Sequence, residues 1–375
     1  MTTTIYSSIE QLDIGFLELI NPSKSAYFSK DLLHSFEASN TQVDVRYICV
    51  SKNTTPQALA LVQIIELSVD VILKNIKVSP FFRKILNSFF CNDHIKIMFC
   101  GNIFLSGEHG ISFSEQSDRK KMVLQIGKTL DKIAKTVRPL HAIFIKDFET
   151  DALEYTSAFE RFGFTNIKVE PNMLITLNAD WKTFEDYKAA LKSKYRVKVN
   201  KADSKSNALK RRIFSKKDIE HYKDELQNLY QNTIDNANFN AQVLDLNTYV
   251  KLKDVYNDNF IVWSYFLEDK IVGFLSALKN KNHLDAHFIG LDYSLNKIHA
   301  IYPRILNDYI RLGLEKKVAI INLGRTASEI KSTVGAEPLE LSCYIKHKNK
   351  FINILIRPFF KKIQIKSFKQ HSPFK

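Results

Sequence analysis

Residues Ile320-Ile321-Asn322-Leu323-Gly324-Arg325-Thr326-Ala327-Ser328-Glu329-Ile330-Lys331-Ser332-Thr333-Val334-Gly335-Ala336 set how the rest of the chain is read. An apolar run, expected as a strand over 318–323, stops at Gly324 and delivers Arg325 and Thr326 to a turn. A short helix, expected over 328–334, then ends at Gly335, a residue type suited to the left-handed closing position. Thr326 and Glu329 have capping-box spacing, so each side chain is expected to bond the other's backbone N–H. A strand end, a guanidinium and a helix N-terminus meeting at one point form a place for an anionic ligand. The same residues equally describe a well-capped turn with a solvated arginine. Their surroundings have to weigh between the two.

Working outward, strands are expected over 260–267 and 271–278, joined through Glu268-Asp269-Lys270 as a hairpin. A third strand over 283–291 and a helix over 299–314 precede the strand–turn–helix, and a final strand over 339–347 follows it. Upstream, a long basic helix begins at Asp180, with Phe184, Tyr187, Leu191, Tyr195, Val199 and Ala202 on one stripe. A strand over 209–214 and a helix through Ile219, Tyr222, Leu226, Leu229 and Tyr230 come next. The first half shows the same order. After a helical start over 1–40 come a hairpin (43–50 and 58–67), a third strand (94–105), a helix (119–137) and a strand (141–145). A helix over 151–162, a Gly163-Phe164 stop and a strand around 172–177 complete it. The order therefore occurs twice, roughly 190 residues apart, which signals duplicated architecture. The expectation is α/β (α+β): two tandem domains, 1–178 and 179–347, each a mixed, mostly antiparallel sheet flanked by helices, and a basic tail over 348–375.

A length of 375 residues suits two domains, and a 45% apolar share is ample for two cores. Cys49, Cys91, Cys100 and Cys343 have no paired spacing and read as thiols in a reducing compartment. No signal-peptide pattern opens the chain, and no apolar run reaches the roughly 20 residues that span a bilayer. A cytoplasmic protein is expected, with contact to the inner membrane face left open. The net charge of +14 is concentrated: residues 182–217 carry 13 Lys/Arg against three acids, and 346–375 carry nine and no acid. Such segments suit an anionic membrane face, RNA or phosphates, although solubility alone also accounts for them.

Three places carry a family resemblance. The basic helix Tyr187-Lys188-Ala189-Ala190-Leu191-Lys192-Ser193-Lys194-Tyr195-Arg196, the strand exit Gly290-Leu291-Asp292-Tyr293, and Gly324-Arg325…Lys331…Gly335-Ala336 occur in that order. Together they resemble the FemAB-like acyltransferases and the GNAT-related family grouped with them in peptidoglycan biosynthesis. The resemblance covers about 178–347, with a weaker echo of the GNAT pattern in 40–178. It implies two GNAT-like domains, the first degenerate, and transfer of an acyl or aminoacyl group from a thioester or a tRNA ester to an amine. Ordinary GNAT acetyltransferases place a glycine-rich basic loop after the third strand to cradle the coenzyme A pyrophosphate. Residues 292–300 of this chain contain no glycine, which argues against standard acetyl-CoA binding. Gly101, Gly107 and Gly110 in the first half read as a turn or a ligand loop.

Aminolysis needs a base, oxyanion donors and positioning. On the third strand, alternation puts Asp285 and His287 on one face, as a base and its orienting partner or as a polar strand face. Tyr293, at the strand exit, is a proton donor or packs under the helix. The substrate-binding candidates are Asn322, Arg325, Thr326, Glu329 and Lys331, with Arg325 and Lys331 suited to an acidic or phosphate group. Glu108 and His109 read as structural, the aromatic stretch 81–90 as an interfacial helix or a seam, and 354–362 as a peripheral membrane contact or a packed end. No residues have metal-ligand spacing. The leading expectation is an N-acyltransferase using acyl-CoA or another acyl thioester, without a metal, on the amine of a cell-envelope or lipid-linked precursor. Aminoacyl transfer from tRNA and a non-catalytic binding protein are the alternatives, and none of the three fixes an oligomeric state.

Overall fold

The computed structural model describes residues 1–23, 25–68, 94–236, 242–360, 365 and 367–375. The aromatic stretch 81–90 and Cys91 lie outside the described residues. The chain divides into two compact units. The first comprises Met1–Val169, Asn238–Leu244 and Glu340–Ile365; the second comprises Glu170–Ala237, Asp245–Leu339 and Lys366–Lys375.

The first unit is built on β1 (Thr2–Tyr6), β2 (Asp44–Lys52), β3 (Thr55–Ser68), β4 (His94–Cys100), β5 (Ile111–Phe113) and β6 (Ala142–Phe148). β1, β2, β3 and β4 pair antiparallel in that order, β5 pairs back onto β3, and β4 runs parallel to β6. Residues 1–6, expected to be helical, form β1 instead: three successive β-branched threonines favour an extended chain, and Thr2–Tyr6 register against Ser51–Tyr47. The helix Arg119–Thr136 lays Met122, Ile126, Leu130 and Ile133 on the sheet, as its spacing predicts.

The second unit contains β8 (Lys210–Ile213), β9 (Phe260–Leu267), β10 (Lys270–Asn280), β11 (His283–Leu291) and β12 (Ile320–Asn322). β8, β9, β10 and β11 pair antiparallel in order, and β11 runs parallel to β12. One face carries the helix Ile301–Glu315, whose Ile301, Ile305, Tyr309 and Ile310 join Trp263, Leu275 and Leu284 in the core. Helices Lys223–Asn236 and Asn247–Tyr256 also belong to this unit, and their Tyr230 and Tyr249 are fully buried.

β7 (Thr165–Thr176) and β13 (Glu337–His347) depart from a plain division at residue 178. The second half of β7 pairs with β12 (Leu174 opposite Asn322), inside the second unit. Residues Ser342–His347 of β13 pair with β6, inside the first. Each unit thus takes its last strand from outside its own half. Buried Lys346 joins the first unit by an ion pair with Asp131 and by sitting 4.3 Å over the Phe164 ring.

The basic helix expected from Asp180 is two helices, Phe184–Ala190 and Ser193–Lys205. Thr183 and Asp186 form a reciprocal capping box at the start of the first. Leu191 is extended and bridges Phe374, while the Lys192 N–H donates to the Pro373 carbonyl at 2.8 Å. A distant segment therefore takes the backbone groups that a continuous helix would use. The second helix docks through ionic bonds: Arg311 bonds Asp203 at 2.5 Å and Asp308 at 2.6 Å, and Asn307 donates to Asp203 at 3.0 Å.

Candidate active site

β11 and β12 pair over three residues only, His283–Asp285 with Ile320–Asn322, and β11 then runs six residues further along β10. Asp285 and Asn322 are thereby register partners at the point where the two strands part. Just beyond it the β10–β11 register slips, so that His287 and Phe288 together oppose Ser276. This bulge turns both side chains to the same side. The His287 ring meets Tyr249 with centroids 5.6 Å apart, and Phe288 meets Tyr230 at 4.7 Å. Leu284 and Ala286 pack into the opposite face, so alternation places Asp285 on the side of His287.

One placement of the His287 proton satisfies all three hydrogen bonds around it. The Ser276 hydroxyl lies 2.7 Å from the Phe288 carbonyl, which can only accept, so Ser276 spends its one proton there. In that placement Ser276 accepts from the Tyr249 hydroxyl at 2.7 Å. Tyr249 has no second proton, so at 2.9 Å it accepts from His287 Nδ1–H. A neutral imidazole protonated at Nδ1 carries its lone pair on Nε2. Ser276 and Tyr249 are fully buried, which holds the relay in place. Neither was singled out in the sequence, because they sit on other elements, 11 and 38 residues from His287, and nothing local marks them.

The Arg325 turn has a different construction from the one its spacing predicts. Asn322 Oδ1 accepts the Gly324 N–H at 2.9 Å, and Gly324, Thr326 and Ala327 all have positive φ (68°, 63° and 50°). The helix Ser328–Ser332 starts from Ala327 without a side-chain cap. Thr326 is therefore not the cap, because its own left-handed backbone lies outside the extended conformation a cap requires. A β-branched residue at that φ is strained by about 1–3 kcal/mol. Lys331 secures the turn. Its buried ammonium donates to the carbonyls of Leu323 (2.7 Å), Gly324 (3.1 Å) and Arg325 (2.6 Å), and burial pulls its pKa down to about 7. Lys331 holds the loop that presents half-buried Arg325, while exposed Glu329 lies 3.7 Å from His371.

At the closing end of that helix, Ala336 N–H bonds the Lys331 carbonyl and Gly335 N–H bonds the Ser332 carbonyl. Gly335 has φ +100°, and a Cβ there would come within 2.4 Å of the Phe374 ring. The segment 369–375 straps this region: Gln370 donates to the Ala336 carbonyl, and Tyr195 hydrogen-bonds His371.

Tyr293 opens the helix Tyr293–His299, six residues after His287 and past the end of β11. It is partly exposed, burial raises its pKa, and it bonds Thr233. Asp292 caps the same helix, accepting the Ser294 N–H at 3.0 Å, with Lys270 at 3.5 Å. A pyrophosphate at this strand exit would meet a carboxylate already on the helix N-terminus, so the exit does not fit that group. In the first unit, Glu108 accepts the Glu149 N–H at 2.7 Å and His109 packs 4.9 Å from Tyr27. Among the described residues no His, Cys, Asp and Glu are grouped to hold a metal, and no helix is long and apolar enough to cross a membrane.

No protein-family model and no curated protein sequence matches the chain. Solved structures do. FemX matches with a TM-score of 0.54 at 11% identity, over 95% of this chain and all of its own. A tandem GNAT protein from the clavulanic acid biosynthesis pathway matches at 0.54 and 6% identity, over 93% and 99%. The C-terminal DUF2156 domain of a putative lysylphosphatidylglycerol synthetase from Agrobacterium fabrum matches at 0.51 and 10%, over 91% and 95%. At such identities the likeness is one of fold. The chain has the tandem GNAT fold.

Proposed function

We propose that the chain is an N-acyltransferase that moves an acyl group from a thioester, carried by coenzyme A or a carrier protein, to an amine. The observation that carries this reading is the Ser276–Tyr249–His287 relay beside the point where β11 and β12 part. His287 Nε2 takes the proton from the attacking amine as the C–N bond forms at the thioester carbon. The tetrahedral oxyanion collapses, the C–S bond breaks, and the proton passes to the departing thiolate. Asp285 and Arg325 position the acceptor, and Arg325 suits one bearing a carboxylate or phosphate, as a cell-envelope or lipid-linked precursor does. The reading uses no pyrophosphate contact at the β11 exit.

The test is release of free thiol from short- to long-chain acyl-CoA, and from acylated carrier protein, in a mixture of primary amines. His287→Ala is expected to lower the rate by about 10²–10⁴-fold. Turnover that survives His287→Ala, Asp285→Ala and Arg325→Ala alike sinks the assignment.

A second reading, aminoacyl transfer from tRNA, is favoured by one feature. Lys194, Lys198, Lys201 and Lys205 recur at helical spacing on the exposed face of Ser193–Lys205, a ladder suited to tracking phosphates. It predicts tRNA binding that weakens steeply with salt, with a shallower slope once these lysines are changed to glutamine.

A further inference from the structure

The helix Lys350–Phe360 of the first unit is apolar on both sides. Its inner side is anchored. Asn349 caps it by accepting the N–H groups of Phe351 (2.9 Å) and Ile352 (3.2 Å). Buried Asn353 donates to the Gly163 carbonyl at 2.8 Å and accepts the His347 N–H at 2.9 Å. Phe360 packs on Ile167, Cys343 and Ile345. The outer side carries Phe351, Ile354 and Leu355, which are 80%, 69% and 64% exposed, with exposed Pro358 completing an i, i+3, i+4, i+7 stripe. Elsewhere among the described residues, large exposed apolar side chains such as Ile14, Val197 and Ile213 belong to other elements.

The geometry points to an anionic membrane surface as the occupant of this stripe. Charge argues for a bilayer over a second copy. The positive end of the helix carries Lys350 and no acid in its first turn. Lys348 and Arg138 lie near enough to repel each other. Within the first unit, residues 346–360 hold Lys346, Lys348, Lys350 and Arg357 and no acidic residue. Pairing two copies through this face would bring like charges together, whereas an anionic leaflet neutralises them. An anchored helix lying in the interface, apolar side in and flanked by lysines, is the arrangement that binds such a surface. This inference stands apart from the chemistry proposed above.

The experiment is flotation of the full chain with phosphatidylglycerol/phosphatidylcholine vesicles and with pure phosphatidylcholine vesicles, at low and physiological salt. Binding is expected to the first kind and to weaken with salt. The combined variant Phe351→Ser, Ile354→Ser, Leu355→Ser should lower affinity by about a hundredfold or more, since each side chain leaves apolar lipid. Lys350→Gln should lower it about fivefold. Thermal unfolding of both variants should stay that of the parent, because the changed groups face outward. Absence of binding to the anionic vesicles, equal salt-insensitive binding to both kinds, or unchanged binding by the triple-serine chain each overturns the proposal. So does a concentration-dependent dimer that the triple-serine change dissolves.

Discussion

His287 owes its proposed role to two residues that need not touch a substrate. Tyr249→Phe removes the oxygen that accepts Nδ1–H, so the imidazole is free to place its proton on Nε2 instead. A fall in kcat of roughly tenfold or more, with KM little changed and the pH profile displaced, is expected. Steady-state kinetics over a pH series would show it, and a purely structural tyrosine would leave the profile in place. His109 tests a different balance. Burial lowers its pKa to about 4, and Lys146 adds to the effect while Asp147 opposes it. The unfolded chain therefore binds more protons than the folded one between about 6.5 and about 4. Stability contributed by neutral His109 is present above that window and is lost as pH falls through it. His141 and His347, also lowered, act with the same sign, so His109→Phe should flatten only part of the decline in urea midpoint on acidification.

At the scale of elements, the turn at 322–336 shows which parts of a sequence speak locally. The strand, the glycine stop and the closing Gly335 lie where periodicity and residue type put them. The start of the helix differs, because capping-box spacing describes two side chains and says nothing of backbone already committed to left-handed φ. The Lys331 clamp is equally hidden, since a lysine six residues after Arg325 reads as solvated until three carbonyls are seen to converge on it. Phe374 against Gly335 yields a prediction. Gly335→Ala should cost on the order of 2 kcal/mol, from strain at φ +100° and overlap with the ring. Adding Phe374→Ala should make the cost of the glycine change smaller, because only the backbone part remains. A double-mutant cycle in urea melts would report the difference, and strict additivity would contradict the packing account.

For the whole molecule, the repeated order of hairpin, third strand, helix, strand, helix and glycine was legible because each element carries its own period. Which unit a strand serves was not, because edge pairing is decided by partners far away in sequence. Residues 342–347 complete the first sheet beside β6, with Tyr344 hydrogen-bonding Thr156 at 3.1 Å. A fragment of residues 1–178 would leave that flank of β6 open and unpaired, so it should aggregate. A peptide covering 340–365, supplied in trans, is expected to restore soluble, cooperatively unfolding material; a fragment that is monomeric and cooperative without it would contradict this.

The strand exchange also sets a schedule for synthesis. Residues 170–339 separate the two main parts of the first unit, and at about 5–20 residues per second the ribosome needs roughly 10–30 s to make them. Throughout that interval the emerging N-terminal part presents an unzipped flank. A holding chaperone, or a translation rate quick enough to shorten the wait, thus bears on the yield of this protein as directly as any contact in its finished core.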